Sequence, residues 1–116
     1  MKAYTDTNQS KLLAEILPKE SADMSWISIY DENHMMSDHR VDLLPYSLFS
    51  GVGVPCWSLT ALLAQMPCVE LVSSNDGHYR AFWHEMYSKW HSNPVDACTE
   101  LLNRDHLAEN SDLINE

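Results

Sequence analysis

The segment at residues 54–67, close to the middle of the chain, constrains the fold more than any other stretch of this sequence. Pro55 suits the first position of a helix, because its missing N–H would be unpaired there anyway. Apolar residues then recur at helical spacing until Pro67, which cannot continue the hydrogen-bond ladder. These apolar residues are Leu59, Leu62, Leu63 and Met66. The pattern predicts a central helix whose apolar stripe is covered by most of the remaining chain.

Two further helices are predicted, one on each side of this segment. Asn8 is the candidate N-cap of a short helix that Pro18 ends. Towards the other end of the chain, Asn93 can cap a helix that Pro94 opens. Asp96 then places a negative charge in the first turn, where the helix dipole favours it. The apolar stripe predicted for this last helix consists of Val95, Cys98, Leu101 and Leu102.

Alternating apolar and polar residues predict four strands, which form two hairpins. The strands are predicted at residues 21–31, 35–44, 68–73 and 78–86. Asp76 and Gly77 form a strong turn signal inside the second hairpin. The alternation there divides the side chains between two faces and leaves open which face is buried. One face is predicted to carry Val69, Leu71, Arg80, Phe82 and His84, and the other Cys68, Glu70, Val72, Tyr79, Ala81 and Trp83.

The predicted order of elements is α-β-(β)-α-β-β-α. This order indicates an α+β fold in which an antiparallel sheet of about four strands is backed by three helices. At 116 residues the chain has the length of a single domain. Residues 1–7 and 110–116 are predicted to be loose tails of that domain, since chain ends without an apolar stripe are seldom held in place.

The charge of the chain narrows the classes of partner. Seventeen acidic and seven basic residues give a net charge of −10. Such a chain lacks the clustered Lys and Arg that bind nucleic-acid phosphates or an anionic membrane surface. The sequence therefore predicts no direct contact with nucleic acid and none with a membrane. Two interpretations stay open: a solvated acidic surface, and a surface that attracts a basic partner.

Three features predict a cytoplasmic protein. The first ten residues have no apolar segment of the kind found in a secretory signal. The most apolar stretch is shorter than the about 20 residues that a membrane span needs. The three cysteines, Cys56, Cys68 and Cys98, form no Cys-x-x-Cys pair, so reduced and mostly buried thiols are expected.

Three short motifs occur in a fixed order along the chain. They are Glu-Ser-Ala-Asp-Met at residues 20–24, Val-Pro-Cys-Trp-Ser-Leu at residues 54–59 and Asn-Pro-Val-Asp-Ala-Cys at residues 93–98. Over residues 12–106 the chain resembles a family of small uncharacterised proteins from the genomes of gut bacteria and their mobile elements. The resemblance implies the same order of elements and an origin in a phage or another mobile element, and it implies no activity. Asn103 and Asp105 depart from the family pattern, which is apolar at those positions of the last helix.

Cys56 is the single residue that most suggests chemistry. In the predicted central helix it occupies the first turn, where backbone N–H groups and the helix dipole lower the pKa of a thiol. One interpretation is a nucleophile with a histidine elsewhere as its base. The favoured interpretation is a small buried apolar residue beside Trp57, because a lone cysteine is more often structural.

Other signals of catalysis or ligand binding are weak in this sequence. The six histidines show no zinc-binding spacing, although His78 and His84 share a face of the predicted second hairpin with Arg80 between them. The acidic residues form no acid–base motif, and Gly51 and Gly53 lack the rest of a nucleotide-binding fingerprint. The sequence predicts no metal and no cofactor, and leaves open whether any histidine has a chemical role.

Two pairs of aromatic residues are candidate interface residues. Trp26 and Tyr30 share a face of the first predicted hairpin, and Tyr79 and Trp83 share a face of the second. Exposed aromatic residues in a polar surround are typical of protein interfaces. Burial in the core is the alternative for both pairs, because tryptophan is highly buried on average.

Taken together, these features favour a non-catalytic intracellular protein that acts through protein–protein contact, with self-association as one form of it. A second interpretation is an acidic inhibitor that mimics nucleic acid and occupies the site of a basic partner, which the net charge of −10 motivates. A third and less favoured interpretation is a thiol-dependent enzyme that uses Cys56.

Overall fold

The computed structural model describes residues 2–30, 36–42 and 54–114. These residues form three helices and six strands. The helices are α1 (Thr7–Ala14), α2 (Leu59–Ala64) and α3 (Pro94–Ile114), and the strands are β1 (Met24–Tyr30), β2 (Met36–Asp42), β3 (Val54–Cys56), β4 (Glu70–Ser73), β5 (Tyr79–Trp83) and β6 (Met86–Tyr87). A 3₁₀ turn at Lys19–Ser21 precedes β1. The predicted α+β class is therefore confirmed, as are the two predicted hairpins, β1–β2 and β4–β5.

The strands form two sheets instead of the single sheet of about four strands that the sequence predicts. In the described residues the first sheet has the order β2-β1-β3 and the second the order β4-β5-β6, and every pair of neighbours is antiparallel. The first sheet gains β3 because Met24 pairs with Cys56 and Trp26 pairs with Val54. Pro55 therefore lies in an outer strand, where a proline is tolerated, and the prediction that it opens the central helix is wrong.

The central helix begins later than predicted, at Leu59. Its N-cap is Ser58, whose side chain accepts a hydrogen bond from the backbone N–H of Ala61. Asp23 holds this cap in place, because its carboxylate accepts from the Ser58 hydroxyl at 2.5 Å and from the Ser58 N–H at 3.0 Å. Helix α2 thus starts where a capping side chain is available, four residues after Pro55.

The predicted apolar stripe of this helix is confirmed. Leu62 and Met66 are fully buried, and Leu59 and Leu63 are half-buried against the core. Trp57, which immediately precedes the N-cap, is also fully buried. The core is enclosed by all three helices and by one face of the second sheet, which contributes Ala81 and Trp83.

The start of the chain is packed against the domain, in contrast to the loose tail predicted for residues 1–7. Asp6, and not Asn8, is the N-cap of α1, and it forms a capping box with Gln9. Thr5 is fully buried, and its N–H donates to the carbonyl of Trp57 at 3.0 Å. Lys2 donates to the Asp96 carboxylate at 2.8 Å and so ties this segment to α3. The polar residues of this segment give no indication in the sequence that the other elements bury it.

Helix α3 begins as predicted. Asn93 is its N-cap, because its side-chain oxygen accepts from the backbone N–H of Asp96 at 2.9 Å. The predicted stripe is confirmed, with Val95, Cys98 and Leu101 fully buried and Leu102 nearly so. The helix continues to Ile114, so residues 110–114 are helical where the sequence predicts a tail, and residues 115–116 lie outside the described residues.

The second hairpin has a different register from the predicted one. The Ser74 N–H donates to the His78 carbonyl at 2.8 Å, which leaves a three-residue loop that ends at Gly77 with a φ of +83°. Leu71 therefore pairs with Ala81. A loop of two or four residues would have paired Leu71 with Phe82 instead. Because a shift of one residue moves every side chain of one strand to the other face, the predicted face assignment is wrong.

A second tight turn follows β5 and creates a strand that the sequence does not predict. His84 and Glu85 have φ values of 50° and 61°, which is typical of the two-residue type I′ turns that join antiparallel strands. Trp83 consequently pairs with Met86, and the chain reverses into β6. The strand predicted for residues 78–86 therefore ends at Trp83.

Replacing Glu85 with glycine is expected to raise the free energy of unfolding by up to about 1 kcal/mol, because glycine adopts a positive φ without steric cost. Glu85 is exposed, so the change removes no buried contact. Urea unfolding followed by circular dichroism measures the effect. The matched variant Glu85→Ala keeps the unfavourable φ and should show no such gain. Equal stability of the glycine and alanine variants would contradict the strain at this turn.

Candidate interaction surface on the second sheet

The outer face of the second sheet, which points away from the core, carries a row of aromatic rings around one arginine. We define the aromatic face as Arg80, Phe82, Tyr87 and Trp90. The Phe82 and Tyr87 rings have centroids 4.4 Å apart. The guanidinium carbon of Arg80 lies 4.7 Å from the Tyr87 ring centroid and 5.3 Å from that of Trp90. Tyr87 is 55% exposed and Trp90 is 45% exposed, so both rings are open to a partner.

The register of the hairpins places these side chains together. Arg80 and Phe82 alternate along β5 with the buried Ala81 and Trp83, so they share the opposite face. Phe82 pairs with Tyr87 across β5 and β6, which puts both rings on that face. The turn at residues 84–85 therefore brings Tyr87 over β5, in a position that a continuous strand to residue 86 would not give.

The loop after β6 is held against the sheet by Ser88. Ser88 is buried, and its hydroxyl accepts from the Ala81 N–H at 2.9 Å while its own N–H donates to the Ala81 carbonyl at 2.9 Å. Its carbonyl accepts from Nε of Arg80 at 2.9 Å, which fixes the plane of the guanidinium group. Beyond it, Tyr79 and His91 exchange two backbone hydrogen bonds of 2.6 and 2.8 Å.

Helix α3 supports the same loop through Glu100. Its carboxylate accepts from the Lys89 N–H at 3.0 Å, and it lies 2.9 Å from His91 Nε2 and 2.9 Å from Arg104 Nη1. Burial alone would raise the pKa of Glu100, but these hydrogen bonds outweigh it and lower that pKa. Arg104 also donates to the Tyr87 carbonyl at 2.6 Å. The loop that carries Trp90 is therefore held to β5 and α3 by hydrogen bonds on both sides.

A pocket of about 370 Å³ adjoins the aromatic face and shares Trp90 with it; its other lining residues are Ser74, Asp76 and His78. The Ser74 hydroxyl donates to the Asp76 carboxylate, and His78 Nδ1 lies 3.2 Å from the same carboxylate, although the angle does not make a hydrogen bond. The hydroxyl of Ser74, and then the neighbouring His78, lower the pKa of Asp76.

These three residue types occur in hydrolase triads, but their arrangement here is different. In a triad the histidine takes the proton of the serine hydroxyl, and the carboxylate orients the histidine. Here the Ser74 hydroxyl donates to the carboxylate itself, and the contact from His78 to Ser74 is through the backbone N–H, at 3.1 Å. In the described residues the Ser74 hydroxyl is therefore paired with Asp76 and not with the His78 ring, which differs from the arrangement of a triad.

The structure places Cys56 in β3 and not in the first turn of a helix. It is fully buried against Thr5, whose carbonyl oxygen lies 3.4 Å from the thiol sulfur. Burial raises the pKa of the Cys56 thiol, and hydrogen bonds with Thr5 and Ser10 oppose that rise only in part. The predicted cause of a lowered thiol pKa is therefore missing. Cys98 is buried as well, which raises its pKa to about 12, whereas Cys68 is exposed, and all three thiols are free.

The predicted interface pairs lie in different surroundings. Trp26 is half-buried, with its indole N–H donating to the Thr5 carbonyl at 3.0 Å, and the side chain of Tyr30 lies outside the described residues. Tyr79 is half-buried, and Trp83 is only 7% exposed because it faces the core. The exposed rings of the second sheet belong to Tyr87 and Trp90, which the sequence analysis did not single out. The available signal was two large aromatic residues in a short polar segment.

The predicted shared face of His78 and His84 is wrong. His78 lines the pocket, whereas His84 lies in the turn, with its ring stacked on Trp83 at 3.7 Å and its Nδ1 3.0 Å from Asp105. Within residues 2–30, 36–42 and 54–114, no group of three His, Cys, Asp or Glu residues could hold a metal ion.

Fold and surface together define a small α+β protein in which an arginine of one of the two described sheets contacts two exposed aromatic rings. The chain matches no protein-family model, no curated protein and no solved structure. Across the described part of the chain, no helix combines the length and apolar character needed to cross a membrane. The function is therefore inferred from the geometry of this surface.

Proposed function

We propose that this is a non-catalytic cytoplasmic protein that binds another protein through the aromatic face. The observation that carries the proposal is the exposure of Tyr87 and Trp90, whose rings both contact Arg80. Tryptophan, tyrosine and arginine are the residue types most enriched at the centres of protein interfaces. Here Arg80 contacts both rings, and a cluster of this composition is typical of the residues that contribute most of the binding free energy at an interface.

The bracing of the face supports the same proposal. Ordering a mobile side chain on binding costs about 0.5–1.5 kcal/mol, and this cost is avoided where the side chain is already held. Here the Ser88 carbonyl binds the side chain of Arg80. Glu100 and Arg104 bind the backbone of the two residues that flank Ser88. The raised pKa of the buried Cys56 thiol and the pairing of the Ser74 hydroxyl with Asp76 agree with a non-catalytic protein.

The acidic residues favour this function over mimicry of nucleic acid. A mimic needs carboxylates that project into solvent at phosphate-like spacing. Several of the acidic residues in the described part of the chain are instead used inside the fold, as caps or ion-pair partners. They include Asp6, Asp23, Asp96 and Glu100. The origin of the chain in a family from gut bacteria and their mobile elements stays a prediction.

Affinity capture from the host lysate tests the proposal. Trp90→Ser should reduce the amount of a specifically retained protein at least about tenfold, since anchors of this kind contribute 2 kcal/mol or more. The matched control is Leu107→Ser, which removes an exposed apolar side chain from α3. Circular dichroism confirms that both variants fold, and light scattering reports whether the retained protein is a second copy of this chain. Equal retention by all three proteins would contradict the proposal.

A further inference from the structure

Among the described residues no acceptor pairs with the Nη edge of the Arg80 guanidinium, in a chain where acidic residues outnumber basic ones by 17 to 7. Elsewhere Lys2 is paired with Asp6 and Asp96, and Arg104 is paired with Glu100. In the described residues Arg80 makes one hydrogen bond, from Nε to the Ser88 carbonyl, and its two Nη atoms have no acceptor. The three lysines of the described residues that also lack a carboxylate partner are exposed, whereas Arg80 is half-buried.

The guanidinium group of Arg80 is also held in one orientation. The rings of Tyr87 and Trp90 lie within 4.7 and 5.3 Å of its guanidinium carbon, and the bond to Ser88 fixes rotation about the side chain. With Nε occupied, the two Nη groups present parallel N–H donors. A planar guanidinium edge of this type binds a carboxylate or a phosphate with two hydrogen bonds.

The surrounding charge selects between these two anions. Glu70 pairs with Phe82 on the same face of the sheet, and Asp76 lines the neighbouring pocket. Together with the net charge of −10, these carboxylates repel an incoming anion in proportion to its charge. A carboxylate carries one negative charge and a phosphate monoester close to two, so these neighbours repel the carboxylate less, and we take a carboxylate as the ligand.

We propose that Arg80 is the recognition residue for a carboxylate in the protein partner, with the rings of Tyr87 and Trp90 packing against the apolar neighbours of that carboxylate. The partner segment is then a short stretch with one acidic residue among apolar ones. This inference rests on the proposed function, because it assumes that the aromatic face is the binding surface. It adds the chemistry that the partner must supply.

Titration with sodium acetate, followed by ¹⁵N NMR at constant ionic strength, tests the site without the partner. We expect the Arg80 Nε resonance and the Trp90 indole resonance to shift together and to saturate on the order of 10 mM acetate. Arg80→Gln should abolish the shift of the Trp90 indole. Arg80→Lys, which keeps the charge but loses the planar edge, should weaken it at least threefold. Lys11→Gln removes the same unit of charge from the exposed part of α1 and should leave it unchanged.

Three results would overturn the inference: no saturation, equal acetate binding by Arg80→Lys, or tighter binding of inorganic phosphate than of acetate. The two proposals fail in different ways. If capture of a partner depends on Trp90 while acetate does not bind at Arg80, only the carboxylate inference is wrong. If acetate binds and Trp90→Ser leaves capture unchanged, the aromatic face is not the interface, and Arg80 is an anion site of another kind.

Discussion

Replacing Trp57 with alanine is expected to lower the free energy of unfolding by about 3–5 kcal/mol. Trp57 is fully buried in the core, between the end of β3 and the N-cap of α2. Its truncation opens a cavity, and it also removes the hydrogen bond from the indole N–H to the Ser21 hydroxyl at 2.9 Å. Because small domains have a total stability of about 5–15 kcal/mol, the variant should be close to unfolding at 25 °C. Urea unfolding followed by circular dichroism measures the change.

Two variants control for the interpretation of this result. Trp57→Phe keeps most of the apolar volume and should lose clearly less stability than alanine does. Trp90→Ala removes an indole that is 45% exposed and should cost less than about 1 kcal/mol. A Trp57→Ala protein that unfolds within 1 kcal/mol of the parent would contradict the placement of Trp57 at the centre of the core.

The helices were the most predictable part of the fold, because their signals are local. The 3.6-residue period identified Leu62 and Met66 as buried, and the cap chemistry of Asn93 identified the start of α3. The error at Pro55 has a physical cause. A proline suits the first turn of a helix and an outer strand equally well, and only the pairing of β3 with β1, which is distant in sequence, decides between them.

The faces of the second hairpin were not predictable from the alternation alone. Whether Leu71 or Val72 lies opposite Ala81 depends on the parity of the loop, and Asp76 with Gly77 fits loops of two, three or four residues. The structure has three, with Gly77 at positive φ. This single residue places Glu70 and Val72, and not Leu71, on the face of Arg80 and Phe82.

The candidate site could not be predicted from the sequence, for a related reason. The turn that brings Tyr87 beside Arg80 is made by His84 and Glu85, which both have positive φ although neither is glycine or asparagine. Histidine adopts a positive φ more often than most residues but glutamate seldom does, so the pair lacks the Asn-Gly or Asp-Gly signal that identifies such a turn. Stacking of the His84 ring on Trp83 at 3.7 Å and its contact with Asp105 at 3.0 Å help to hold the turn in the folded protein. Both contacts depend on the tertiary structure.

Replacing Thr5 with valine is expected to lower the free energy of unfolding by about 1–3 kcal/mol, although the two side chains have nearly the same shape. The Thr5 hydroxyl is fully buried, accepts from the Trp57 N–H at 3.1 Å and lies 2.7 Å from the Ser10 hydroxyl. Valine leaves the buried Trp57 N–H without this acceptor and leaves the Ser10 hydroxyl with only the weak contact to the Cys56 thiol, so the desolvation cost of these groups is no longer offset. Urea unfolding gives the change in free energy, and hydrogen exchange at the Trp57 amide reports the local effect.

Thr60→Val is the matched control, because Thr60 lies on the exposed side of α2 and the same change there should alter stability by less than about 0.5 kcal/mol. If Thr5→Val is as stable as this control, the first residues are not part of the cooperative fold. If it loses the expected stability, the segment before α1 is a structural element that connects α1, β3 and α2. Its burial then holds Cys56 in place as well, since the thiol contacts the Thr5 hydroxyl and carbonyl at 3.5 and 3.4 Å.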